Sequence, residues 1–167
     1  TIESFKLAKD LGFDNINMDL IAGLPNDTLE SFKNSVDKAI GLGADSITVH
    51  TLALKSGAYL VTRDSTFDLT DRLTASNMVN YSNDALFNNG YYPYYMYRQS
   101  KSLGNLENVG WCKNGRDCLY NVYMMDETHS VFAVGAGAVT RLKAQSSGKI
   151  ERIYNLKYPY EYIDRFD

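Results

Sequence analysis

Apolar and polar positions alternate with two different periods in the first half of the chain. Ile2, Phe5, Ala8 and Leu11 recur at helical spacing behind Thr1, so residues 1–12 predict a helix ended by Gly12. Ile16, Met18, Leu20, Ile21 and Ala22 then form a run that predicts a strand over 15–23. Leu29, Phe32, Val36, Ala39 and Ile40 return to one helical face over 27–41. Asp27 is placed to cap that helix, with Glu30 three residues on, and Gly41 and Gly43 end it. The run SITVHTLA predicts a second strand over 46–53, and a third helix follows over about 71–88, from Thr70-Asp71 to Asn89-Gly90. Helix, strand, helix, strand with nearly unbroken apolar strands predicts an α/β class fold, a parallel sheet covered by helices.

After Gly90 the texture changes. The segment YYPYYMYRQ is aromatic and alternating. Apolar runs at CLYNVYMM (118–125), VFAVGAGAV (131–139) and KIERIYNL (149–156) are separated by turn-like NGRD (114–117) and DETHS (126–130). These predict a β-rich subdomain over 91–167, with YPYEYIDRF as a short terminal helix. The expected boundary between the two halves therefore lies at 90/91.

Composition narrows the class. The chain has 167 residues, 44 % of them hydrophobic, enough for a real core. A net charge of −3 without a basic stripe argues against a nucleic-acid partner. No apolar run approaches the roughly 18 residues of a membrane span, so no membrane partner is expected. The two cysteines, Cys112 and Cys118, are too few for a disulfide scaffold. They fit reduced thiols in a cytoplasmic protein, and their spacing makes no zinc or iron–sulfur site. The opening TIESFKLAKDLGF reads as a cut at a helix start, so the chain is expected to belong to a longer protein.

Asp19 is the first candidate for chemistry. A carboxylate within a strand covered on both faces must be hydrogen-bonded, paired or bound to a ligand. Asp19 lies four residues before Gly23, near the C-terminal strand end where α/β folds hold ligands, and Gly23 and Pro25 let the chain turn over that end. A bond to a neighbouring strand or loop amide explains the same carboxylate equally well. His50 sits at comparable depth in the next strand and reads as either a core histidine or a substrate-side group. The GAGA stretch, Gly135 to Ala138, permits close backbone approach but is no nucleotide fingerprint, because the third position after Gly137 is Thr140. Tyr91, Tyr92, Tyr94, Tyr95 and Tyr97 fit the faces of a half-buried strand and also a stack on a planar ligand. Pro93 puts that strand at an edge or at its start.

The segments NMDLIAGLPNDTLESF, ADSITVHTLALKSG, GWCKNGRDCLYN and VFAVGAGAV, in that order, resemble the later part of the oxygen-independent coproporphyrinogen III oxidases, in the coproporphyrinogen dehydrogenase branch. The resemblance covers most of residues 1–142. It implies the C-terminal portion of a partial (β/α) barrel of the radical S-adenosylmethionine kind, with a β-rich subdomain closing the site. It implies that Asp19 contacts S-adenosylmethionine, that the backbone of Ala53 meets the same cofactor, and that Val139 is a further site position. Val122 and Tyr123 match a pair near a second S-adenosylmethionine. The implied reaction is hydrogen abstraction by a 5′-deoxyadenosyl radical from a propionate of coproporphyrinogen III, with loss of carbon dioxide to leave a vinyl group. The implied partners are this tetrapyrrole, an electron donor and the N-terminal half of the same protein. The family holds its [4Fe-4S] cluster in a CxxxCxxC loop that this chain lacks, so the 167 residues alone are expected to be inactive. Two other readings stand beside this one: a related haem chaperone that binds tetrapyrrole without decarboxylating it, and a structural α/β module of an unrelated protein.

Overall fold

The computed structural model describes residues 1–53, 70–144 and 146–165. The LKSG end of the second matched segment and Phe166 lie outside them. The chain forms two compact units, Thr1–Asp117 and Cys118–Asp167.

In the first unit, α1 (Ile2–Asp10), β1 (Asn17–Ala22), α2 (Leu29–Gly41), β2 (Ser46–Thr51) and α3 (Arg72–Asn88) follow the predicted order. Two further strands, β3 (Tyr92–Tyr97) and β4 (Asn108–Cys112), pair into the same sheet, whose order is β1-β2-β4-β3. β1 and β2 run parallel, while β4 is antiparallel to both β2 and β3. The compact unit therefore runs past the expected 90/91 boundary to Asp117. The tyrosine-rich strand satisfies its backbone on β4, and β4 on β2, so the antiparallel ribbon completes the first sheet. Pro93 is accommodated because β3 is an edge strand, with a register shift between Pro93 and Tyr95.

The core lies on one side of this sheet. Phe5 of α1, Phe32, Val36 and Ala39 of α2, and Met78, Val79 and Leu86 of α3 pack with Ala22, Ile47, Val49 and Trp111 of the strands. Each large apolar side chain buried there contributes about 1.5–3 kcal/mol relative to exposure. Helix α2 starts one residue later than expected. Thr28, not Asp27, is its N-cap, with Thr28 Oγ1 accepting from the Ser31 N–H at 3.1 Å, while Asp27 Oδ1 accepts from the Thr28 N–H. The turn before it has Pro25 and then Asn26 at φ 59°, closed by Asp27 N–H to Leu24 O at 3.1 Å. Gly23 is required at the strand end: its φ is 85°, and a Cβ there would meet Leu103 Cδ2 at 2.9 Å.

Asp45 ties the entry of β2 to its surroundings. Lys9 Nζ donates to its Oδ2 at 2.7 Å and the Ile16 N–H to the same oxygen at 3.1 Å, while Arg116 Nε lies 3.8 Å from Oδ1. Its backbone carbonyl accepts from the Lys113 N–H just after β4. Burial by itself pushes this carboxyl up, but the Lys9 hydrogen bond, the Ile16 N–H and the charges of Lys9 and Arg116 outweigh it and hold the pKa below the usual 3.8.

The second unit contains α4 (Leu119–Asp126), the hairpin β5 (Val139–Lys143) and β6 (Ile150–Tyr154), and α5 (Pro159–Asp164). Two expectations are corrected here. CLYNVYMM is a helix, ended by Glu127 at φ 54°, since a short apolar run suits helix or strand equally by pattern. VFAVGAGA is not a strand. Val131 makes one isolated bridge to Arg141, after which Gly135 (φ 107°) and Gly137 (φ 70°) break the extension. The glycines instead dock by backbone: the Gly135 N–H donates to Tyr162 Oη, Asn155 Nδ2 donates to Gly135 O, and the Gly137 N–H donates to Leu156 O at 2.7 Å. Among the described residues no helix is long and apolar enough to cross a membrane.

Two substitutions test this account. Asp45→Ala is expected to cost about 1.5–3 kcal/mol in urea denaturation at neutral pH, as loss of hydrogen bonds to a charged group. Because the folded pKa lies below the unfolded one, that contribution is full above the ordinary carboxylate pKa and is lost as pH falls through the folded value. A wild-type-to-variant difference that stays constant down to pH 2 contradicts the assignment. Gly110→Ala is expected to cost about 1–3 kcal/mol, because its Cβ would occupy the position of the Tyr95 ring. An unchanged denaturation midpoint would mean that Tyr95 does not lie against that backbone.

Candidate functional site

The helices pack on one side of the first sheet, so the other side collects what the core excludes. Register decides its membership. Paired residues face the same way, which gives one row of Asn17, Ser46, Cys112 and Tyr92, and a second of Asp19, Thr48, Gly110 and Tyr95. Ile21 beside His50, and Asn108 beside Tyr97, continue the same face. Glycine at 110 leaves room for the Tyr95 ring to lie across β4.

The side chains on this face form a connected polar layer. Asn17 Nδ2 donates to Asp19 Oδ1 at 2.6 Å, and Thr48 Oγ1 donates to Asn17 Oδ1 at 3.2 Å. Thr48 Oγ1 also lies 3.4 Å from Tyr95 Oη. His50 bridges three strands, with Nδ1 3.0 Å from Tyr97 Oη and Nε2 3.6 Å from Asp19 Oδ2. The Tyr95 and Tyr97 rings are stacked with their planes 4° apart. Burial first, and then the nearby Tyr95 and Asp19, push the Tyr97 hydroxyl above its usual pKa, so it remains a proton donor at neutral pH.

Asp19 is therefore not sandwiched between two covered faces, as the unbroken apolar run suggested. β1 alternates exposed and half-buried positions, and the Asp19 side chain is 60 % exposed. Its carboxylate is positioned by Asn17 and His50 and open to a ligand. The sequence placed Asp19 and His50 at comparable depth, and the fold brings them together. It did not identify Asn17, Thr48, Tyr95 and Tyr97 as their neighbours. The alternation within YYPYYMYRQ carried a partial signal, since Tyr95 and Tyr97 are two residues apart on one face. Tyr91, by contrast, is a core residue whose hydroxyl donates to Ala44 O at 2.6 Å.

Ala53 follows β2 and bridges to Ser102. Val122 and Tyr123 lie on α4, and Val139 opens β5, so these three belong to the second unit. The Tyr123 ring packs on His129, with centroids 4.2 Å apart.

The cysteines do not fit a cluster. Cys112 is fully buried with Sγ 3.6 Å from Asp117 Oδ1, and burial, with Asp117 nearby, pushes its thiol up to about 11. A protonated buried thiol is a poor metal ligand. Tyr92 Oη donates to the other Asp117 oxygen at 2.9 Å. Among the described residues no three His, Cys, Asp or Glu side chains are grouped to hold a metal ion.

No protein-family model matches the chain. It is 36 % identical over its full length to the oxygen-independent coproporphyrinogen-III oxidase-like protein HemZ of Bacillus subtilis, covering 33 % of that protein. It is 38 % identical over 52 residues to the heme chaperone HemW of the same organism, covering 31 % of this chain and 14 % of that one. Among solved structures it is similar to the coproporphyrinogen III oxidase HemN of Escherichia coli, described as a radical SAM enzyme, with a TM-score of 0.65 and 18 % identity over 98 % of this chain and 37 % of that one. The chain spans 33 % of the length of the B. subtilis HemZ protein and 37 % of the E. coli enzyme, and its mixed α/β fold is that of the C-terminal part of the latter. The chain is thus similar along its whole length to an oxygen-independent coproporphyrinogen-III oxidase-like protein.

Proposed function

We propose that this chain is part of a longer oxidoreductase that converts coproporphyrinogen III to protoporphyrinogen IX, and that the polar face of its first sheet binds S-adenosylmethionine. The observation that carries the reading is the exposed Asp19 carboxylate held between Asn17 and His50. An ionised carboxylate accepts strong hydrogen bonds from vicinal hydroxyls such as those of a ribose. Asn17 occupies Oδ1 from one side and His50 approaches Oδ2, so the carboxylate plane is set before a ligand arrives. Tyr97, held by His50, and Tyr95, held by Thr48, supply hydroxyls and stacked rings on the same face. Ala53, after β2 in the same unit, would present backbone to the cofactor.

When bound and reduced, S-adenosylmethionine supplies the hydrogen-abstracting chemistry of the reaction; the protein binds, orients and shields. A [4Fe-4S] cluster does not fit these residues, so its ligands would be supplied by the remainder of the longer protein. A cytoplasmic setting agrees with two free cysteines. A second reading is favoured by the match to a heme chaperone: the same fold would hold tetrapyrrole without decarboxylation.

Several measurements separate these readings. In the longer protein, Asp19→Asn is expected to weaken S-adenosylmethionine binding about tenfold in calorimetry while the melting temperature is kept, the scale of one charge-assisted hydrogen bond. Unchanged affinity would remove Asp19 from the site. Given coproporphyrinogen III, S-adenosylmethionine, a reductant and an electron acceptor, that protein should form protoporphyrinogen; stable haem binding with no decarboxylation would establish the chaperone. The 167 residues alone should show neither cluster absorbance nor 5′-deoxyadenosine formation.

A further inference from the structure

The second unit carries a cleft of about 530 Å³ whose lining includes Tyr120 and Met124 of α4, Val139 and Arg141 of β5, and Arg152 and Tyr154 of β6. Two features set it apart. Arg141 and Arg152 are direct partners across the hairpin, and Val139 is paired with Tyr154 beside them. Like charges directly opposite on neighbouring strands are destabilising, so a hairpin selected for stability alone avoids this pair. The two arginines also differ in their surroundings. Arg141 is largely buried, donating to Met124 O at 3.1 Å and forming an ion pair with Glu127. Arg152 is exposed and has no partner among the described residues.

Alternation along β5 puts Lys143 on the same side as Arg141, where its Nζ donates to the Glu127 carbonyl. The nearby Asp126 carboxylate is engaged by the Thr128 N–H and hydroxyl. One guanidinium is therefore locked in place by Glu127, and the second is left without a counter-charge beside it. The rest of the lining is of the opposite character. Tyr120 and Tyr154 expose most of their surface, and Met124 and Val139 add apolar walls. A free guanidinium at the edge of an aromatic and aliphatic cleft suits a planar apolar body that carries a carboxylate.

We infer that this cleft is a subsite for the carboxylate side chain of a tetrapyrrole, with Arg152 as the residue that recognises the carboxylate. The choice of tetrapyrrole rests on the function proposed above. The arginine pair supports carboxylate recognition independently of that choice. Arg141, fixed by Glu127 and the Met124 carbonyl, holds its strand of the hairpin in place beside Arg152.

The test is a fluorescence titration of the 167-residue chain with coproporphyrin III, with its neutral tetramethyl ester in the same dilute detergent, and with S-adenosylmethionine. Arg152→Ala, at an exposed position, should leave the melting temperature unchanged. It should weaken coproporphyrin III binding about tenfold, with Arg152→Lys recovering part of the loss. Affinity for the ester should be the same in wild type and Arg152→Ala. Equal coproporphyrin III affinity in wild type and Arg152→Ala overturns the subsite while leaving the tetrapyrrole reading in place. A variant that loses S-adenosylmethionine affinity and keeps porphyrin affinity assigns the carboxylate to the cofactor and overturns it too. Wild-type chain that binds neither porphyrin refutes the subsite together with tetrapyrrole binding by this segment.

Discussion

Burial of one side of a four-stranded sheet is the constraint on which the first unit depends. Phe32 and Val36 from α2 and Met78 and Leu86 from α3 are nearly or wholly buried against Ile47 and Val49. Because the strand period is two, fixing one side to the helices fixes the identity of the other. A slip of one residue in β2 would exchange Ile47 and Val49 for Thr48 and His50 in the core. The hydrophobic demand on one face thus holds the polar residues in place on the other.

The devices around the sheet serve that register. Asp45 joins α1, the approach to β1, the start of β2 and the segment after β4 through one carboxylate and one backbone carbonyl. Gly23 allows the chain to leave β1 beneath Leu103, and the Pro25-Asn26 turn delivers it to the Thr28 cap. Gly110 lets β4 carry the Tyr95 ring flat against its backbone. Each sits where an ordinary side chain or an uncharged residue would shift a strand end, and a shifted strand end moves Asp19 relative to His50.

The second unit is organised differently. It has no fully buried residues among those described, and its order comes from polar ties: Arg141 to Glu127 and Met124, and the glycine loop to Asn155, Leu156 and Tyr162. Such ties are directional, so they position groups without requiring a large core. Buried arginine is costly unless its donors are satisfied, and Arg141 meets that condition through Glu127 and the Met124 carbonyl. Across the hairpin, Arg152 has no equivalent arrangement, which is why the two members of one cross-strand pair differ in kind.

Much was legible in the sequence because it was local. The spacing of Leu29, Phe32, Val36 and Ala39 specifies a helix face whatever the rest of the chain does. The run from Ser46 to Thr51 specifies a strand, and the Gly-Leu-Pro-Asn segment specifies a turn at a strand end. The resemblance carried by those segments agrees with the similarity to HemZ along the whole chain. Local pattern could not say that the apolar run around Asp19 has a covered side and an open one, because Met18 and Ile21 look alike until a helix is placed. It could not join β4 to β2, since GWC is too short to declare a strand and its partner lies more than sixty residues earlier, at Ser46–Ile47. It read CLYNVYMM as β because a run of that length fits either period. The contact of Asp19 with His50 and of His50 with Tyr97 exists only once strand order and register are set, and those are properties of long-range backbone pairing, which no short window of sequence contains.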